Sequence, residues 1–148
     1  MAFHFTLEAV LRYRQSLEER EQLRLQPLLV SRAVLLKQLQ QAREAQLQLQ
    51  TAIQRALRQA AIPAVELQLS AAQLNGIARQ QELLRSRLLK LESEIAEQTA
   101  RYRQERQKRE VLESLREVQW RDYQVRQQRR QQAMLDEMHL LQRGRGQA

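Results

Sequence analysis

Two histidines, His4 and His139, are the only imidazoles in this 148-residue chain, and no cysteine accompanies them. Without thiolates there is no disulfide and no cysteine-type zinc site, a composition that fits a reducing cytoplasm. Neither histidine has a second histidine at helical ligand spacing. A metal centre would have to recruit Asp136 or Glu137, and none is expected. The paired acids Glu18/Glu19 and Asp136/Glu137 fall on exposed helix faces, which lack the burial that poises a carboxylate for acid–base work. With three glycines in all, the chain has no phosphate-cradling loop. The expectation is a protein that is not an enzyme, with no cofactor and no small-molecule substrate.

The remaining chemistry is charge. The net charge is +8, and it is unevenly spread. Residues 1–21 carry 3 basic minus 4 acidic groups, or −1, and residues 22–63 carry 6 minus 1, or +5. Residues 64–100 carry 4 minus 5, or −1, and residues 101–148 carry 12 minus 7, or +5. Such stretches favour an acidic partner, whether protein, anionic lipid or nucleic acid. A basic region running into heptads is how a zipper-type DNA reader is built. Here Glu105, Glu110, Glu113 and Glu117 interrupt the basic run, and the strongest heptads precede it. The run reads first as a solvated mixed-charge helix face, and among functional readings an acidic protein partner is favoured over nucleic acid.

What must position these charges is a stripe stepping by three and four residues. It runs Leu25, Leu28, Arg32, Leu35, Leu39, Ala42, Gln46, Leu49, Ile53, Ala56, Ala60, and nine of the eleven positions are apolar. A second stripe, Leu74, Ile77, Gln81, Leu84, Leu88, Leu91, Ile95, repeats the pattern. Alternating steps of three and four keep one narrow seam facing a partner helix. Leu and Gln (26 each) and Arg (22) dominate, while only six residues are aromatic. Strong helix formers with this period describe a coiled coil.

The fold expected is therefore all-α, a single antiparallel coiled-coil hairpin over residues 1–148. Helix one runs over about 6–61, capped by the Thr6 hydroxyl with Glu8 in the first turn. Leu7, Val10, Leu11 and Leu17 form an apolar face there whose phase does not join cleanly to the stripe beginning at Leu25. Pro27 lies inside this helix, as a tolerated kink or as a hinge. Pro63 disfavours helix at Ile62, and residues 62–70 form a turn, either irregular or holding a short helical piece through Val65, Leu67 and Leu69. Ser70-Ala71-Ala72-Gln73 reads as a capping box opening helix two over about 71–141. The strict seam fades after Ile95, and the distal helix either frays or awaits another protein's surface. No apolar run approaches the ~20 residues of a membrane span, and Met1-Ala2-Phe3-His4-Phe5 lacks the apolar core of a signal peptide.

The chain resembles the FliJ family, small coiled-coil components of the bacterial flagellar type III export apparatus. The resemblance rests on the opening Phe3-His4-Phe5-Thr6-Leu7-Glu8-Ala9-Val10-Leu11-Arg12-Tyr13-Arg14. It rests also on Lys108-Arg109-Glu110-Val111-Leu112-Glu113-Ser114-Leu115 and on Met134-Leu135-Asp136-Glu137-Met138. Where the family often places lysines before the Asp-Glu pair, Gln131-Gln132-Ala133 stand here. The resemblance implies a non-catalytic stalk that sits in the pore of the hexameric export ATPase, FliI, and links it to the membrane export gate protein, FlhA. Contact with export chaperones is implied as well. The place expected is the cytoplasm, at the inner face of the cell membrane through partners. On that reading Arg12, Arg14, Arg121, Arg126 and Arg130 dock in the ATPase ring. Leu67, Leu69, Leu74 and Ile77 at the hairpin end face the gate or simply cap the turn. The alternative function is a basic coiled-coil binder of nucleic acid.

Overall fold

The computed structural model describes residues 2–59 and 62–146. Within them the chain is all-α: α1 spans Glu8–Gln59 and α2 spans Ala64–Gly146, and the two pair as an antiparallel helical hairpin. The described residues fall into two compact units, each built from parts of both helices. One comprises residues 2–19 and 103–146, the other residues 20–102.

In the unit of residues 20–102 the seam follows the sequence stripes. Among residues 22–59, every residue that is not exposed lies at a stripe position: Leu25, Leu28, Leu35, Leu39, Ala42, Gln46, Leu49 and Ile53. Opposite them, Leu74, Ile77, Leu88, Leu91 and Ile95 are half-buried, while Gln81 and Leu84 are buried. Leu39, Ala42 and Leu84 form the tightest part of this core. Arg32 and Ala56 are exposed, Arg32 because a long charged side chain at a seam position extends its head into water.

Polar side chains set the alignment. The Gln81 amide donates to the Gln46 side-chain oxygen at 2.8 Å, and the Gln98 amide donates to the Glu21 carbonyl at 3.0 Å and carboxylate at 2.5 Å. A buried polar residue in an apolar seam costs stability but penalises every register that leaves it unpaired. The seam therefore does not fade after Ile95. It continues through Gln98 and Tyr102, which are buried and half-buried at the same three–four steps. Hydrophobic periodicity misses such positions because it counts only apolar residues.

In the other unit the same steps carry Leu7, Leu11, Arg14 and Glu18 on α1. On α2 they carry Glu105, Arg109, Leu112, Arg116, Gln119 and Tyr123. Leu11 is the most deeply buried side chain here, with Phe5 beside it in burial. Val10, assigned to the apolar face, is instead exposed.

The helix ends also differ from expectation. α1 starts at Glu8, with the Leu11 N–H donating to the Leu7 carbonyl at 2.9 Å and the Glu8 N–H to Phe5 at 3.1 Å. Leu7, not Thr6, thus supplies the first helical carbonyl. The expected end of helix one at Ala61, like stripe position Ala60, lies outside the described residues. α1 continues across Pro27. α2 begins at Ala64, so that the helical piece through Val65, Leu67 and Leu69 is its first two turns rather than a separate element, and Ser70 lies inside it. Pro63 is the reason: its carbonyl accepts from the Glu66 and Leu67 N–H groups at 3.1 and 3.2 Å. Proline's fixed φ suits a helix start, and Glu66 in the first turn complements the exposed N–H donors. α2 also runs to Gly146 rather than stopping near Leu141.

Replacing Leu39 or Leu84 with Ala should lower stability by about 2–4 kcal/mol in urea titrations, because each leaves a void in a thin seam. Leu23→Ala, at an exposed position, should stay within about 0.5 kcal/mol of the parent. Changing Gln46 and Gln81 together to Leu should raise the melting temperature while admitting additional association states in sedimentation velocity.

Candidate partner-docking surfaces

Residues 2–7 precede α1 and lie against the side of α2. Phe3 meets Trp120 edge to face, with ring centroids 5.1 Å apart, and tilts over Tyr123 at 5.5 Å. Trp120 and Tyr123 stack at 5.8 Å, one helical turn apart. Aromatic pairs in such geometries contribute about 0.5–1.5 kcal/mol beyond their area, which ties the non-helical residues to the helix. Phe5, two residues beyond Phe3, is buried.

Ion pairs hold the polar seam beneath it. Arg109 donates through Nε to Glu18 and through Nη1 to Glu113 at 2.6 Å. The hydrogen bond to Glu18, then that to Glu113, holds the Arg109 guanidinium above its ordinary range, against a smaller opposing effect of burial. Stability drawn from a raised basic group is fully present below its unfolded pKa and is lost only as pH rises through the folded value. The Arg109 contribution is therefore constant across the neutral range and declines only in strong alkali, as pH rises through the raised value. Arg14 lies 3.8 Å from Glu105, and Arg116 lies 3.4 Å from Glu8. One buried Glu105 oxygen has no hydrogen-bond donor among the described residues, so Arg14 compensates its charge without a hydrogen bond.

The five arginines assigned to docking now separate. Arg14 is held in the seam by Glu105, and Arg12 and Arg121 each have a carboxylate one turn away, Glu8 at 4.0 Å and Glu117 at 2.6 Å. Arg126 and Arg130 have no ion-pair partner among the described residues. They line a surface groove with Phe3, His4, Asp122 and Tyr123. This groove is a cation-bearing site that the N-terminal residues complete, and only the fold shows it. Beyond Gln127 every described residue of α2 is exposed, including Met134, Leu135, Met138 and Leu141.

At the hairpin end, in the other unit, Leu74 and Ile77 sit in the seam and are half-buried. Leu67 lines a small groove with Leu49, Ile53 and Ile62. Leu69 and Val65 are the side chains left open, at 60% and 67% exposure. Of the four leucine and isoleucine positions assigned to a partner there, Leu69 is the one most available.

Among the described residues no cluster of three or more potential ligands could hold a metal ion, and no helix is long and apolar enough to cross a membrane. Compared with family models, curated proteins and solved structures, the chain matches none.

Trp120 is the sole tryptophan and reports this unit. Phe3→Ala should shift its emission to the red and raise its quenching by iodide, with far-ultraviolet helicity unchanged. Arg109→Met should lower stability by about 1–3 kcal/mol, because Glu18 is left in the seam without its partner. An unchanged unfolding midpoint for that variant would show that water replaces the pair at no loss.

Proposed function

We propose that the chain is a non-catalytic, FliJ-type stalk component of a bacterial flagellar type III export apparatus. It would couple an export ATPase hexamer to a membrane export gate protein, contact export chaperones, and stand at the inner face of the membrane through those partners. The observation that carries this reading is where the family-like residues lie. The opening Phe3–Arg14 segment and the Lys108–Leu115 segment belong to one unit, with Phe5 and Leu11 buried and Arg109 joined to Glu18. Residues that share a resemblance and also share a packed unit support a common structural role. Two long paired helices suit a part that must stay stiff while its ends engage different proteins.

Within this reading Arg126 and Arg130 are the docking cations, because their charges are not spent on a carboxylate of the same chain. Arg12 and Arg121 contribute less, and Arg14 serves the seam. Leu69 is the favoured residue for the gate.

The unpaired arginines beside Phe3 and Tyr123 also favour a second reading, a nucleic-acid surface on which bases stack and phosphates meet guanidinium groups. The two separate by experiment. Arg126→Glu with Arg130→Glu should abolish stimulation of the partner ATPase while helicity is kept, and Arg12→Glu with Arg121→Glu should reduce it less. Full stimulation by the first variant would overturn the docking assignment. Oligonucleotide binding that falls steeply with salt, without any effect on the ATPase, would support the second reading instead.

A further inference from the structure

In the unit of residues 20–102, one stretch of α1 carries more apolar surface than a two-helix seam can cover. Between residues 28 and 36 only Ser31 and Arg32 are not apolar. Leu28 and Leu35 lie in the seam, yet Leu29, Val30, Ala33, Val34 and Leu36 are exposed. Val30 and Val34 are 64% and 50% exposed. A helix that is apolar around most of its circumference is normally buried on more than one side, and contiguous exposed apolar patches mark partner sites. Val30, Val34 and Leu35 also form one wall of an open groove whose other wall is Arg87, Lys90, Leu91 and Glu94 of α2.

We propose that this groove docks an amphipathic helix of a partner protein, one with a leucine-type apolar face flanked by acidic residues. The apolar floor made by Val30, Val34, Leu35 and Leu91 accepts side chains spaced by three and four residues, as helix-in-groove recognition requires. The charge pattern selects the sign of the flanks. Two cations and one acid line the α2 wall, and neither Arg87 nor Lys90 has an ion-pair partner among the described residues. On α1, residues 22–59 hold six cations and the single acid Glu44. A second copy of the chain would set Arg87 and Lys90 against their like, whereas an acid-flanked helix meets complementary charge.

The test uses the full chain and a synthetic helical peptide of about 20 residues with leucines along one face and glutamates beside them. A second peptide with the same leucines and lysines for glutamates is the control. Fluorescence anisotropy at physiological ionic strength should show binding of the glutamate peptide and at least about tenfold weaker binding of the lysine peptide. Val30→Glu with Val34→Glu should weaken binding at least about tenfold, with helicity preserved because both positions are exposed. Arg87→Glu with Lys90→Glu should do the same from the other wall, without touching the apolar floor. No binding of the glutamate peptide, equal binding of both peptides, or full affinity in either double variant would overturn the proposal. So would self-association of the parent chain, seen in sedimentation equilibrium and removed by Val30→Glu with Val34→Glu, since the occupant would then be a second copy.

Discussion

Two helices meeting along one seam cannot enclose a volume, and this constraint governs everything else in the structure. Only Phe5, Leu11, Leu39, Ala42 and Leu84 are buried apolar residues among those described. With so thin a core, each seam position carries an unusual share of the stability, and every other position is left to solvent or to a partner.

The two units meet the constraint with different chemistry. In residues 20–102 the seam is mainly leucine and isoleucine, and the Gln46–Gln81 hydrogen bond supplies the register. In residues 2–19 and 103–146 the seam holds Arg14, Glu18, Glu105 and Arg109. Partly buried ion pairs add little net stability, because desolvation opposes their attraction, but a slipped register leaves a charge unpaired. Leucines resist separation more than they specify alignment, and the charged pairs specify alignment more than they resist separation. The aromatic cluster of Phe3, Trp120 and Tyr123 adds apolar contact where the seam itself is polar.

Because interior positions are so few, the choice of which charges are spent inside the molecule decides which remain for recognition. Glu18 and Glu113 take up Arg109, and Glu105 takes up Arg14. Arg126 and Arg130 lie past the last of these carboxylates on α2 and stay open beside the N-terminal residues. On the apolar side, leucines and valines in excess of the seam at residues 29–36 stay open for the same reason.

The sequence by itself determined that the chain is helical, that it doubles back near Pro63, and which apolar residues of the 20–102 unit share a seam. Those properties follow from local periodicity and from proline's missing N–H, which act over a few residues. The tertiary structure alone decided the rest. That Arg14 and Glu18 occupy seam positions in one unit, and Glu21 in the other, depends on the side chains brought opposite them, Glu105, Arg109 and Gln98. Of the five arginines, Arg12 and Arg121 pair with carboxylates one turn away on their own helix, whereas Arg14 meets Glu105 only because the fold brings the two together. Pro63 was legible as a helix boundary, yet its role as the start of α2 appeared only with the backbone. An i−4 amide pattern cannot be weighed against a capping box until one of them forms.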